Sequence, residues 1–284
     1  MDGTLLRDEI VDALRKELES LGSPPVCLAT VLVGDDRPSE VYVRMKHRAA
    51  SRAGLRSKHV GLPGGSSQGQ VEAAVAELGA DPEVNGILVQ LPLPAALETN
   101  AVLSLVPPDK DVDGLTEVSM GRLVRGVPGL VPCTPLGVIR LLERYGVDTS
   151  GRRAVIVGRS NLVGLPLALL LARKGVDATV TIAHSRSRDL VDVCREADIL
   201  VGAAGQAHML TVDHVKPGAA VVDVGVSRTE AGIVGDVDQG PVAEVAGWLT
   251  PMPGGTGPMT IACLLENTLV AARLQGAVPG ENAV

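Results

Sequence analysis

The chain of 284 residues is long enough for one large or two ordinary domains, and its 45% hydrophobic content supports a real core. That core is aliphatic, because the sequence holds no Phe, one Trp and two Tyr. A formal net charge of -7 argues against a general nucleic-acid surface and confines any anion site to a local pocket.

Helix-like and strand-like segments alternate along the chain, so the expected class is α/β. Residues 5–21 repeat apolar side chains at a helical period, and Gly22 ends the run. Residues 26–33 read as a strand leading into Gly34-Asp35-Asp36. Ser39 is the expected cap of a helix reaching about Gly54. A second strand is expected over 56–60, and a helix over 71–78 after the loop Gly64-Gly65-Ser66-Ser67. Residues 86–90 form a short apolar strand stopped by Pro92 and Pro94, and 95–105 read as helical. An irregular stretch runs from Pro107-Pro108 through Asp113-Gly114. Thr134 as cap and Pro135 at the first position open a helix over 136–145, a candidate domain connector. A second α/β block follows, with strands at 154–157, 178–183, 199–201 and 219–224 and helices at 165–173 and 190–196. Gly254-Gly255-Thr256-Gly257-Pro258 closes it, and a last helix from Met259 to about residue 274 is a second candidate connector.

Cys27, Cys133, Cys194 and Cys263 form no C-x-x-C pair, and the histidines show no H-x-x-x-H spacing, so no metal site or redox dithiol is expected. The longest apolar run, at 165–172, contains Pro166 and is too short to span a bilayer. With no signal peptide visible, the expected protein is cytoplasmic, with reduced thiols and no membrane association.

Val155-Ile156-Val157-Gly158-Arg159-Ser160-Asn161-Leu162-Val163-Gly164 reads as strand, glycine turn and helix start. That layout holds a pyrophosphate on backbone N–H groups and a helix dipole, although many strand–turn–helix units carry such glycines. Ser160 stands where a second fingerprint glycine is usual, and Arg159 precedes it. The next strand ends in His184-Ser185-Arg186-Ser187, with no acid to bind a ribose 2′-OH. Hydroxyls and a guanidinium there suit a 2′-phosphate, so NADP is the expected nucleotide, with Arg159 and Ser185 as preferred ligands.

Tyr42 and Lys46 are four apart on an expected helix and share one face. A lysine partly desolvated beside a tyrosine can exchange protons near neutrality, while the same pair is common on solvated helices. Gln90 ends an apolar strand, where ligands collect in open α/β sheets. Asp111 and Asp113 point to opposite sides of an extended loop, so only one need face a cleft; Asp113-Gly114 is equally a simple turn. The Pro251–Pro258 run of prolines and glycines lets backbone approach a flat ligand or makes a domain crossover.

These segments occur together and in order. Tyr42-Val43-Arg44-Met45-Lys46, Gly86-Ile87-Leu88-Val89-Gln90-Leu91-Pro92-Leu93-Pro94, Lys110-Asp111-Val112-Asp113-Gly114, Pro132-Cys133-Thr134-Pro135, the Gly158 turn and Pro253-Gly254-Gly255-Thr256-Gly257-Pro258-Met259-Thr260 resemble the bifunctional methylenetetrahydrofolate dehydrogenase/methenyltetrahydrofolate cyclohydrolase family. The resemblance covers nearly the whole chain and implies two α/β domains flanking a cleft, the second a Rossmann-like parallel sheet. Residues 1–137 with 259–284 would hold folate, and 138–258 would bind NADP. It further implies oxidation of 5,10-methylenetetrahydrofolate with NADP and hydrolysis of the product to 10-formyltetrahydrofolate, steps of one-carbon metabolism, in a homodimer.

By the same resemblance Lys46 serves the hydrolytic step, Gln90 hydrogen-bonds and tunes it, Tyr42 lies against folate, and Asp113 takes the pterin N–H donors. Leu91, Pro92, Gly255 and Pro258 complete the substrate site, and Thr134, Gly158, Arg159, Ser160, Ser185 and Val226 the cofactor site. Leu165 stands where many bacterial members have Lys, Leu115-Thr116 replaces their Phe-His, and the N-terminus is shorter than usual, as if a short first strand were lost. A dehydrogenase without cyclohydrolase activity is the competing enzyme reading, disfavoured by Lys46 and Gln90. A silent nucleotide sensor would need only the second domain.

Overall fold

The computed structural model describes residues 1–230 and 232–280. In chain order it forms α1 (Gly3–Ser20), β1 (Cys27–Val33), α2 (Arg37–Arg52), β2 (Arg56–Leu62), α3 (Gln68–Ala80), β3 (Gly86–Val89), α4 (Thr99–Ser104), α5 (Glu117–Arg125) and α6 (Cys133–Arg144). Then come β4 (Arg153–Val157), α7 (Gly164–Ala172), β5 (Thr179–Ala183), α8 (Leu190–Arg195), β6 (Ile199–Gly202), a short 3-10 turn (Val212–His214), β7 (Ala220–Asp223), β8 (Ser227–Thr229), β9 (Gly232–Val234), α9 (Gln239–Val245), β10 (Trp248–Leu249) and α10 (Thr256–Leu274). Backbone packing divides the chain into two compact units: an N-terminal unit, Asp8–Cys133 with Ile261–Val284, and a middle unit, Met1–Arg7 with Thr134–Thr260.

The N-terminal unit is built on a parallel sheet in the order β2-β1-β3. β1 reads Cys-Leu-Ala-Thr-Val-Leu-Val and is buried along its whole length, as a central parallel strand must be. Its Ala29, Val31 and Val33 pack with Val71, Val75 and Leu78 of α3 and with Ile87 and Val89 of β3. The chain leaves β1 to one side for β2 and returns to its other side for β3. The carboxyl ends of β1 and β3 therefore form a topological switch point, where α/β sheets collect ligands. Gln90 follows β3 directly and its backbone N–H bonds to Val31 O at 2.8 Å.

The middle unit is a five-stranded parallel sheet in the order β10-β7-β6-β4-β5, with an antiparallel hairpin of β8 and β9. This is the doubly wound order whose reversal falls between β4 and β6. Val155, Val157, Leu200 and Val221 lie among its buried aliphatic residues.

Several local expectations change in the structure. Asp36, not Ser39, caps α2: its carboxylate accepts from Ser39 N at 3.0 Å and Ser39 Oγ at 2.7 Å, because Pro38 begins the helix earlier. α3 starts at Gln68 under a reciprocal Ser67–Gln70 capping box, an arrangement that contributes about 1 kcal/mol. The helix expected over 95–105 shrinks to Thr99–Ser104, since the chain first makes a turn in which Leu97 N bonds to Pro94 O at 2.9 Å. α5 lies where no helix is expected, capped by Thr116 and ended by left-handed Gly126. Thr134 is not a cap, because α6 already begins at Cys133. α10 begins at Thr256, so Pro258 belongs to its first turn.

Candidate functional site

Within the N-terminal unit, α2 places Tyr42 and Lys46 on one face at the β1/β3 switch point. Lys46 is only 6% exposed, which is unusual for a cation and demands partners. Its Nζ donates to Gln90 Oε1 at 3.0 Å and lies 5.6 Å from the centre of the Tyr42 ring. Gln90 is held in turn, its Nε2 donating to Leu91 O at 2.7 Å. That bond fixes which end of the amide faces the lysine. Burial pushes the Lys46 pKa down from its ordinary value, opposed by the Asp113 carboxylate. Burial raises Asp113, with the Lys46 ammonium working against it. Tyr42 is raised by burial as well. In all three groups burial favours the uncharged form.

The loop carrying Asp113 is fixed on both sides. Asp111 turns away from Lys46 and accepts from Leu115 N at 3.2 Å and Thr116 N at 2.8 Å. Asp111 is thus spent on the backbone of its own loop, whereas Asp113 faces the Lys46 ammonium and the Cys133 thiol. Asp113-Gly114 is also more than a simple turn: Gly114 has φ +69°, and a Cβ there would meet Pro132 N at 2.5 Å. Ile87 N bonds to Lys110 O at 2.8 Å, which ties the loop to β3.

Two contributors, Asn267 and Cys133, carry no functional signal in the sequence. Asn267 of α10 is buried, and its Nδ2 donates to Val112 O and Val131 O, both at 2.8 Å. Cys133 is fully buried, donates to Val112 O at 3.2 Å, and has its thiol pKa pushed well up by burial and by the Asp113 charge. The one signal for Asn267 was a polar amide inside an apolar helix, which carries no address for its partners. Leu91 is half-buried and Pro92 exposed beside Gln90, with a cis peptide between them.

In the middle unit, Gly158 ends β4 with φ +139°, and a Cβ on it would lie 2.1 Å from Ala203 O. Gly164 fits against the turn itself: a Cβ there would lie 2.2 Å from Gly158 O. Gly164 therefore lets α7 start directly on the glycine turn. Ser160 Oγ accepts from Val163 N at 3.1 Å, shaping the turn ahead of α7. Arg159, Ser160 and Ser185 are exposed, and among the described residues no carboxylate pairs with Arg159, Arg186 or Arg188. β5 ends without an acid, and His184 instead organises its own loop, its N–H bonding to Ser187 Oγ at 3.0 Å. This donor set fits a nucleotide with an extra phosphate: tight glycines for the pyrophosphate, free cations and hydroxyls for the 2′-phosphate. Val226 is 55% exposed and follows shortly after β7. Thr134 Oγ1 and Thr260 Oγ1 are 2.9 Å apart, and Gly255 is packed so closely that a Cβ would meet Pro251 O at 2.7 Å. The residues of the middle unit and those around Lys46 belong to separate units.

Among the described residues no helix is long and apolar enough to cross a membrane, and no group of three or more His, Cys, Asp or Glu could hold a metal ion.

Fold and side chains together define a dinucleotide-binding α/β enzyme that carries, in a second α/β unit, a centre built on a buried lysine. Residues 1–113 match the family described as tetrahydrofolate dehydrogenase/cyclohydrolase, catalytic domain, and residues 132–276 match its NAD(P)-binding domain. The chain belongs to the tetrahydrofolate dehydrogenase/cyclohydrolase family. It is 50% identical to the bifunctional protein FolD of Oleidesulfovibrio alaskensis, over 95% of this chain and 96% of that one. It is similar to the crystal structure of the bifunctional FolD methylenetetrahydrofolate dehydrogenase/cyclohydrolase from Campylobacter jejuni, at 42% identity and a TM-score of 0.93, covering 96% and 98% of the two chains. The Trypanosoma brucei methylenetetrahydrofolate dehydrogenase-cyclohydrolase, solved with NADP cofactor and inhibitor, is 37% identical with a TM-score of 0.91, covering 96% and 97%.

Proposed function

We propose that this protein oxidises 5,10-methylenetetrahydrofolate with NADP and hydrolyses the resulting 5,10-methenyltetrahydrofolate to 10-formyltetrahydrofolate. The observation that carries the reading is Lys46, buried and hydrogen-bonded to Gln90 beside Tyr42 and Asp113. A dehydrogenase alone has no need of such a lysine.

NADP, when bound, accepts the hydride. Gly158 and Gly164 leave the backbone open to its pyrophosphate, Arg159, Ser160 and Ser185 supply phosphate donors, and Thr134 and Val226 flank the rest of the nucleotide. In the folate site Asp113 accepts from pterin N–H groups, Tyr42 lies against the flat ligand, and Leu91 and Pro92 line it. Hydride loss needs little acid–base help, because a folate nitrogen lone pair stabilises the cation that forms; positioning does most of that work. Hydrolysis is different, since water must lose a proton as it attacks that cation. Lys46 Nζ, with its pKa lowered by burial, holds or moves that proton, and Gln90 Oε1 keeps Nζ aimed. Residues 1–137 with 259–284 form the folate half and 138–258 the NADP half, in a cytoplasmic homodimer.

Gln90→Glu tests the tuning role. A carboxylate at the position of an amide that now lies 3.0 Å from Nζ favours the ammonium and raises the Lys46 pKa. The hydrolysis rate against pH is expected to shift to more alkaline pH while the oxidation profile stays in place. An unshifted profile contradicts the role given to Gln90. Arg159→Ala tests nucleotide choice: loss of charge-assisted phosphate bonds, about 1.5–3 kcal/mol, raises the NADP KM about 10- to 100-fold and leaves the NAD KM nearly unchanged. Equal losses with both nucleotides contradict a 2′-phosphate role. The overall reading is tested by spectrophotometric assay of methylenetetrahydrofolate oxidation with NADP and with NAD; no signal with either overturns it.

A further inference from the structure

The proposed nucleotide site raises the question of what shapes the side of the sheet reversal opposite Gly158. One lip is the Gly158 turn on β4; the other is the exposed stretch Ala204-Gly205-Gln206, which leaves β6 after Ala203. The acid-free, cationic end of β5 suits the adenosine 2′-phosphate, so the nicotinamide half of the dinucleotide crosses to the β6 and β7 side. There the backbone is gathered onto one buried side chain. Asp236 is 0% exposed, and its carboxylate accepts from Ala204 N at 2.6 Å, Gly205 N at 3.1 Å and Gln206 N at 2.7 Å.

Asp236 is itself fixed from behind. Asp223, also 0% exposed, ends β7 and accepts from Asp236 N at 2.9 Å, Val237 N at 3.1 Å and Gln239 Nε2 at 3.1 Å. Glycines make room for the pair: a Cβ on Gly225 would lie 2.0 Å from Asp236 Cγ, and one on Gly235 would lie 1.9 Å from Asp223 Oδ2. Gly225 precedes Val226, and Ser227 Oγ donates to Gly205 O at 3.4 Å. One carboxylate therefore sets the shape of the β6 loop and sits against the backbone that presents Val226.

We propose that Asp236 is the positioning residue for the nicotinamide half of NADP, acting through the N–H groups of Ala204, Gly205 and Gln206. Only an acceptor-only carboxylate satisfies three converging N–H donors; an asparagine would turn an NH2 group toward one of them. The inference rests on the proposed NADP-dependent activity.

The test is Asp236→Asn, read by three measurements on the purified enzyme: NADP affinity with oxidation kinetics, affinity for 2′,5′-ADP, and methenyltetrahydrofolate hydrolysis. 2′,5′-ADP carries only the adenosine half. The expected result is an NADP affinity weakened roughly tenfold or more, with 2′,5′-ADP binding and hydrolysis each within about twofold of wild type. Unchanged NADP affinity overturns the inference, and so does an equal loss of NADP and 2′,5′-ADP, which would mark a general loosening of the unit. Should Asp236→Asn fail to fold, Gln206→Pro removes one of the three N–H donors to Asp236 and leaves both aspartates in place; the same split is expected, and its absence overturns the proposal. A wild-type protein inactive with NADP overturns the functional reading beneath it, whereas an active wild type with an unaffected Asp236→Asn overturns this inference alone.

Discussion

Lys46→Met abolishes hydrolysis of methenyltetrahydrofolate, by about 100- to 10,000-fold, the range that a positioned general acid–base group contributes, while oxidation of methylenetetrahydrofolate continues. Methionine matches the length and unbranched shape of the lysine stem, so α2 keeps its packing around Val43 and Ala50, both buried. What is removed is the nitrogen. Gln90 Oε1 loses its donor, and Asp113 loses the positive charge that opposes its rise in pKa. Without that charge the Asp113 pKa is raised further, and a protonated carboxyl accepts pterin N–H groups less well, so the KM for folate rises as the hydrolytic rate falls. Steady-state assays of both reactions on one preparation check this. Equal losses in both would mean that Lys46 holds the substrate and does no separate work in hydrolysis.

Gly158→Ala has the opposite signature: NADP-dependent oxidation falls about 100-fold or more, and hydrolysis is preserved. The added methyl would sit 2.1 Å from Ala203 O and 2.6 Å from Ala203 C, both backbone atoms that cannot swing aside. At φ +139° an alanine also carries backbone strain on the order of 1–3 kcal/mol. The turn must shift, and with it the N–H groups that face the pyrophosphate. Gly164 compounds the effect, because it already rests on Gly158 O with no spare room. NADP titration of the variant reads the loss directly. Wild-type NADP affinity would place the pyrophosphate elsewhere.

Much of this was legible in the chain itself. The strand run from Cys27 is apolar but for Thr30 and that over Ala154–Val157 is wholly apolar, and the 3.6-residue period of α1 and α6 stands out without any partner to define it. Tyr42, Lys46 and Gln90 were readable as candidates because helix spacing and a strand end fix their faces locally. The short pieces were not. The β8–β9 hairpin, β10 and α9 carry too few residues to show a period, and they form because the sheet edge and the Asp223–Asp236 pair give them something to pack on. α5 was hidden for a related reason: its start signal, Thr116, follows directly on the Asp111 loop that it helps to satisfy. Burial is the other limit. Nothing local in the sequence says that Lys46 is 6% exposed, that Asn267 reaches Val112 and Val131, or that Asp111 and Asp113 divide their work. Those facts arise only when α10 and the loop before α5 meet the first sheet.

The central claim is that one chain carries two separable chemistries, one at Lys46 and one at the Gly158 turn. The measurement that tests it most directly follows NADPH, methenyltetrahydrofolate and 10-formyltetrahydrofolate together from methylenetetrahydrofolate and NADP. With the wild-type protein, 10-formyltetrahydrofolate is expected to rise in step with NADPH; with Lys46→Met, methenyltetrahydrofolate accumulates and decays only at its spontaneous rate. Formation of 10-formyltetrahydrofolate by Lys46→Met at the wild-type rate would contradict the account.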